Sequence, residues 1–382
     1  MVKKLRNKQR IPIYVIIGTR AQLIKMAPVM RAMEKEKIEY DFLYTQQHKV
    51  TIEDLIKNFQ LKTPIRNILE VKKEAKTKKL FANWFFKMLI VLFNPFSRKK
   101  VFKKGRGLVI THGDTATSAW AAIYAQTSLC KVLHIESGMR SFNLLKPFPE
   151  ELMRIITFYF TNYYACPYQE AIDNIKSFNG IKINTNANTM FDSFTYAHDL
   201  MSNNKLEVIK KKFNLPKRFA LFSTHRYENI FNVSKLKIMT DIIENSAKRI
   251  PLVIILHPAT EKQFKKFGYY EKFSKNENIK LIPRQDFLDF VGITKLAKII
   301  MTDGGSNQQE MSYLGKPTVL LRDVTESKEG IGENVIMSYY KQTIVDEVID
   351  NFEKYQVAPK KFSPSPTDII IDFLKKISSE EL

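Results

Sequence analysis

The chain has 382 residues, 44% of them hydrophobic, and a formal net charge of +22. That length suits two domains with a core each, and that apolar share excludes a disordered chain. Cys130 and Cys166 stand in separate segments with no CxxC or CxxH spacing, which suggests neither a disulfide framework nor a zinc site and points to a reducing, cytoplasmic home; the charge calls for an anionic partner, whether nucleic acid, an acidic membrane or a phosphorylated substrate.

In chain order, a basic N-terminus runs into "IPIYVIIG" (11–18), which imitates a signal peptide but is short and ends in a polar turn. It reads as a first strand. Next comes "KTKKLFANWFFKMLIVLFNPFSRKKVFKK" (76–104), in which Leu80 to Phe96 carry one charge, Lys87. Residues 72–106 hold twelve Lys or Arg against one Glu, half of the chain's positive excess. A transmembrane span is excluded because the chain on either side supplies strands to one sheet. Trp84, Phe85, Phe86 and Phe93, with Phe96, lie between basic clusters and read as membrane contacts of an in-plane helix on an anionic leaflet. A purely internal helix is the competing reading, and it leaves the Lys-rich flanks unexplained. Nucleic acid is disfavoured, because the basic block encloses an aliphatic run and not spaced stacking aromatics.

Further short apolar runs follow: "GLVITHGD" (107–114), "KVLHIESG" (131–138), "RFALFSTH" (218–225), "PLVIILHP" (251–258), "NIKLIP" (278–283), "AKIIMTDGG" (297–305) and "PTVLLRD" (317–323). Each reads as a strand buried on both faces, with helices in the 15–25 residues between many of them. The pattern predicts an α/β protein of two Rossmann-like parallel-sheet domains facing each other across a cleft. The polar break "INTNANTMFD" (183–192) places the boundary, giving domains at 1–187 and 188–364, with 365–382 as a C-terminal helix returning to the first.

Nearly every run ends in a polar cluster, and strand carboxyl ends are where ligands bind in open parallel sheets. One cluster alone is more simply an N-cap or turn; five in register point to a site. Gly18 and Arg20, before an amphipathic helix, suit a phosphate. "DGGSNQQE" offers two glycines to an anion and Glu310 to ribose hydroxyls. Asp114, Glu136, Glu150, Glu151 and His225 are the acid–base candidates. Partial desolvation and neighbouring like charge are expected to raise the carboxylates toward neutrality. The competing reading has Asp114 and Glu136 merely capping helices or pairing with Arg140 and Arg154. His257 reads as structural, and His48 and His112 as orienting their neighbours.

The blocks "GTRAQLIKMAPVM", "THGDTATSAWAA", "HIESGMRS", "PFPEELMR", "THRYEN", "QDFLDFVG", "DGGSNQQE" and "LGKPTVLLRD" together resemble the non-hydrolysing bacterial UDP-N-acetylglucosamine 2-epimerase family. The resemblance implies a fold like that of GT-B glycosyltransferases and inversion at carbon 2 of a UDP-N-acetylhexosamine, serving surface polysaccharide synthesis. UDP would be eliminated to a glucal-type intermediate and added back, with no metal or nicotinamide cofactor. By motif, Asp114, Glu136 and Glu150 match the family's catalytic carboxylates and His225 its active-site histidine. Arg20, Gly305 and Glu310 match nucleotide contacts, and Arg154 the arginine after the paired glutamates. Lys25, Arg226, Gly304 and Ser306 join them as substrate-binding residues.

The chain departs from the family pattern in its phosphate cradle. Gln22 replaces a Glu, Ser306 has moved relative to the family's DSGG, Gln308-Gln309-Glu310 replaces QEE, Met153 replaces an Asn, and Ser327 stands where an arginine approaches the nucleotide. Val50 replaces a polar residue of the regulatory sugar-nucleotide site. These changes and the basic segment keep open a membrane-associated GT-B glycosyltransferase with a lipid-linked acceptor. The retained carboxylates favour the epimerase over that transferase and over a non-catalytic scaffold. A UDP-sugar, an anionic membrane surface on the cytoplasmic side and a second copy of the chain are the partners expected.

Overall fold

The computed structural model describes residues 11–47, 52–71, 78–144, 149–325 and 327–379; His48, Val50 and the start of the basic segment lie outside them. Two compact units result, one of residues 1–193 and 362–382, the other of 194–361. The first holds seven parallel strands: β1 (Ile13–Ile17), β2 (Asp41–Tyr44), β3 (Ile65–Asn67), β4 (Leu108–His112), β5 (Lys131–Ile135), β6 (Tyr163–Cys166) and β7 (Ile181–Asn184), in the order β3-β2-β1-β4-β5-β6-β7. The second holds six: β8 (Ala220–Thr224), β9 (Leu252–Leu256), β10 (Ile279–Pro283), β11 (Ile299–Thr302), β12 (Thr318–Leu320) and β13 (Val335–Met337), in the order β10-β9-β8-β11-β12-β13.

Central strands are buried along their whole length, as β1 (IYVII), β8 (ALFST) and β9 (LVIIL) show. Helices covering both sheet faces leave these residues no solvent side, which is why they are uniformly apolar or small. In each unit the chain reverses outward from a central strand, β1 in the first sheet and β8 in the second. The strand ends flanking that reversal are where a parallel sheet gathers its ligand-binding loops.

The C-terminal helix Pro366–Ser379 belongs to the first unit. Thr367 donates to Asp192 through its N–H (2.9 Å) and its hydroxyl (2.7 Å), and Lys375 pairs with Glu36 at 2.8 Å.

The apolar segment forms a helix, Lys78–Phe93, followed by a second, Pro95–Val101. Trp84, expected at a lipid surface, is instead 1% exposed, and its indole N–H donates to the Thr45 carbonyl at 2.9 Å. Met88 and Leu92, one and two turns on, join it in the core beside Trp120 and Tyr124. Phe85, 37% exposed, stacks on Phe81, and Phe86 and Phe93 face solvent more fully.

Candidate active site

In the first unit the loops after β1, β4 and β5 converge. Thr19 caps the helix Arg20–Lys35 and forms a capping box with Gln22. The Gln22 side-chain oxygen accepts from the N–H of Gly18 (2.9 Å) and of Thr19 (3.1 Å). Its amide NH2 donates to the His112 carbonyl (2.7 Å) and the Ser118 hydroxyl (3.0 Å). A glutamate at this position could accept but not donate. The departure at Gln22 is thus a structural tie between the ends of β1 and β4. Gln22→Glu sets a carboxylate oxygen against the His112 carbonyl, and denaturant melts should show a loss of about 1–3 kcal/mol. Stability equal to the parent would mean that the tie is not needed.

Glu136, one residue past β5, is engaged from two sides. Lys25 donates to both of its oxygens, at 2.8 and 2.7 Å, and His112 Nε2 lies 3.0 Å from one of them. Burial works to raise the Glu136 carboxyl, but Lys25 and then His112 override it and hold the group well below the ordinary carboxylate range. The expected rise toward neutrality is therefore corrected: this carboxylate stays ionised. It also sits at φ +62°, a left-handed conformation worth about 1–3 kcal/mol of strain in a side chain of this kind, and such strain gathers at functional positions.

His134 joins this turn to the next. One ring nitrogen lies 2.8 Å from the Gly113 carbonyl and the other 2.9 Å from the Ser137 hydroxyl. The carbonyl demands a donor, so Nε2 carries the hydrogen and Nδ1 accepts from Ser137. Burial pushes the His134 imidazole down to about 4. Gly113, at φ +68°, makes the tight turn that presents Asp114. Arg154 donates to Asp114 at 2.6 Å and reaches Glu151 at 3.3 Å. Glu151 is fully buried, accepts from the Ser141 N–H at 2.9 Å and pairs with Arg140. Of the two sequence-neighbouring glutamates, Glu151 is therefore the anchor. Glu150 opens the helix Glu150–Tyr159, and its Oε2 is buried without a hydrogen-bond partner among the described residues.

Arg20 pairs with Asp54 of the helix Glu53–Phe59, a partner that sequence reasoning missed. Lys25, expected on the substrate, lies on Glu136.

In the second unit the ends of β8 and β11 meet through Asp303, which is fully buried. It accepts from the N–H of His225 (3.0 Å), the N–H of Arg226 (3.1 Å) and the Asn229 amide (3.0 Å). The sequence signal for this anchor was the Asp of DGGS itself. His225 packs against His257, with ring centroids 4.6 Å apart and the planes tilted by 34°. Burial lowers His225, with Asp303 opposing and Arg226 and Arg284 reinforcing; burial, then His225 and Arg284, push His257 down to about 3. Gly304 leaves room for these side chains: a Cβ would stand 2.9 Å from His225 Cε1 and 2.6 Å from the Asn307 side chain, and both would have to shift.

Gly305 begins the helix Gly305–Leu314, and Ser306 beside it is exposed, leaving an open helix N-terminus that suits a phosphate. Arg322 comes near Gly305, and Arg226 pairs with Glu228 at 2.5 Å. Glu310, 6% exposed, accepts from Asn307 at 3.0 Å. Gln308 donates to the carbonyls of Ser327 (2.9 Å) and Glu329 (3.1 Å), so the altered QQE run fastens the following loop. Among the described residues no group of three or more His, Cys, Asp or Glu is arranged to hold a metal ion.

Three comparisons bear on these two sets of residues. Residues 31–366 match the family model described as UDP-N-acetylglucosamine 2-epimerase. A protein of that name from Methanocaldococcus jannaschii is 30% identical, over 87% of this chain and 90% of its own. One from Campylobacter jejuni is 28% identical, over 92% and 93%. The solved structure of the Neisseria meningitidis UDP-GlcNAc 2-epimerase bound to UDP-GlcNAc superposes with a TM-score of 0.80 at 26% identity, covering 96% of this chain and all of that one.

Proposed function

From the premise that this chain belongs to the UDP-N-acetylglucosamine 2-epimerase family, we propose how its residues divide the work. The enzyme is an isomerase that inverts carbon 2 of UDP-N-acetylglucosamine. The first unit's carboxylates act on the sugar and the second unit's helix N-terminus and cations hold the diphosphate.

The observation that carries this division is the Lys25–Glu136–His112 cluster. A carboxylate held ionised on a strained turn is ready to accept the carbon 2 proton without first losing one of its own. Asp114, on the turn that His134 ties to that of Glu136, and Glu150 supply the further carboxylates that proton return on the other face requires. Departure and return of UDP fall to the second unit. His225, kept neutral, offers an N–H to a phosphate oxygen, Gly305 and Ser306 offer backbone N–H groups, and Arg226 offers charge. The transferase weighed from the sequence is not favoured, since the relatives are named as epimerases.

Purified protein given UDP-GlcNAc alone should form UDP-ManNAc, seen by proton NMR as a second anomeric signal. No second signal, with sugar transfer appearing once a polyprenyl-linked acceptor is added, would overturn the assignment. The proposal extends to place and assembly: inside the cell at the inner face of an anionic membrane, as a homodimer.

A further inference from the structure

The helix Lys78–Phe93 and the helix Pro95–Val101 meet at 94°. Neither is long and apolar enough to cross a bilayer. Their inner side is fully committed. Trp84, Met88 and Leu92 are in the core, the Trp120 indole donates to the Met88 carbonyl at 2.8 Å, and the Ser97 hydroxyl meets that of Tyr124 at 2.7 Å. The outer side has no such cover. Phe86 is 63% exposed, Ile90 53%, Phe93 78% and Phe96 83%. The first three follow one another at helical spacings of four and three residues, so they share one face, and Phe96 carries that apolar ridge past the bend.

The ridge is bordered by one sign of charge. Residues 78–106 contain nine Lys or Arg and no Asp or Glu. Lys99, Lys100 and Lys103 are exposed, with no acidic partner among the described residues, while Lys104 faces Asp41 at 3.4 Å. A second copy of the chain is a poor occupant, because a two-fold contact would set this uncompensated positive border against itself. A nucleic acid would use the charge and leave the aliphatic crest in water. A phosphate-bearing surface with an apolar layer beneath it answers both features.

We infer that the outer face of this bent pair is a wedge for an anionic lipid surface. Phe86, Ile90, Phe93 and Phe96 enter the headgroup layer, and Lys99, Lys100 and Lys103 meet lipid phosphates. The inference rests on the membrane location proposed above and is independent of the reaction. It reassigns the contact from Trp84, which stays in the protein interior.

The test is flotation of the full chain with vesicles of equal parts phosphatidylglycerol and phosphatidylcholine. The parent floats with these and not with pure phosphatidylcholine. Phe86→Ser/Phe93→Ser/Phe96→Ser and Lys99→Gln/Lys100→Gln/Lys103→Gln each lower partitioning by about tenfold or more. Brominated lipid quenches the emission of a Phe93→Trp variant, whereas parent emission is unchanged because Trp84 and Trp120, the two native tryptophans, are both buried. Unchanged turnover of UDP-GlcNAc without vesicles shows that the Phe variant is folded, so that its lost flotation reports on this face. Failure of the parent to float, or equal flotation of the Phe variant, overturns the inference. So does a Phe variant that turns a dimer into a monomer in sedimentation velocity without any effect on lipid, or a parent retained by an oligonucleotide and not by vesicles. A parent that floats but does not epimerise leaves the wedge standing and removes the enzymatic reading.

Discussion

Glu136→Gln should lower kcat for carbon 2 inversion by about a thousandfold, within the range of about 10²–10⁴ that a positioned general base contributes. UDP affinity by calorimetry should stay within a few-fold. The substitution is nearly isosteric and keeps one oxygen for Lys25, so the turn after β5 has reason to persist. It removes the charge proposed to abstract the proton and leaves Lys25, whose side chain is only 12% exposed, without its counterion. Folding stability will fall as well, which makes the UDP measurement the necessary control. The pH dependence has a defined sign. A carboxyl whose folded value is depressed contributes stability above its unfolded value, about 4.3 for a glutamate, and loses it as pH falls through the folded value. In the parent, Glu136 therefore stays a base across the whole neutral and mildly acidic range, and any acidic limb above about pH 5 in the rate profile belongs to another group. A Gln variant that turns over within tenfold of the parent would remove Glu136 from proton transfer and leave Lys25 and His112 as a structural cluster.

The strands that carry the site were legible, because each is a short, wholly buried run ending in polar residues. β2, β3, β6, β7 and β13 were not. β3, β7 and β13 are edge strands with one side free of a ladder, and DFLY, IRN, YYAC, IKIN and VIM are too short or too mixed to stand out. The carboxylates were legible by position but not by charge state. What decides Glu136 is Lys25, 111 residues away along the chain, and no local pattern announces that pairing. The Gln22 tie was half legible, since Thr19-x-x-Gln22 is a capping-box spacing; its second half, the donation to His112, needed the fold. Trp84 was misread because the helix Lys78–Phe93 is apolar on both sides. Without contrast between faces, periodicity cannot say which aromatic residues turn inward.

Acid should weaken the turns that carry the same site, and His134 is the group to watch. An imidazole buried in its neutral form has a folded value below the unfolded one, here about 4 against 6.5. The stability it contributes is complete above pH 6.5 and is lost as pH falls toward 4, amounting to about 3 kcal/mol by linkage. Asp192 acts in the opposite sense. Burial raises it to about 6, against the bonds from Thr367, so the folded state takes up a proton first and gains stability between pH 6 and its unfolded 3.8. The total curve of the parent mixes these terms with those of His198, His225 and His257, all lowered chiefly by burial. The informative quantity is the difference between parent and His134→Gln, measured by urea melts at stepped pH. Glutamine keeps a donor for the Gly113 carbonyl and cannot titrate, so the variant starts less stable at pH 7 and the gap closes between pH 6.5 and 5. Parallel curves would show that the folded ring takes up its proton as readily as the unfolded one, which would overturn the lowered value. Closure of the gap would show that the folded turn holds the ring neutral while the unfolded chain takes up the proton, so that acid withdraws the support His134 gives to the Gly113 and Ser137 turns and to the carboxylates proposed for the reaction.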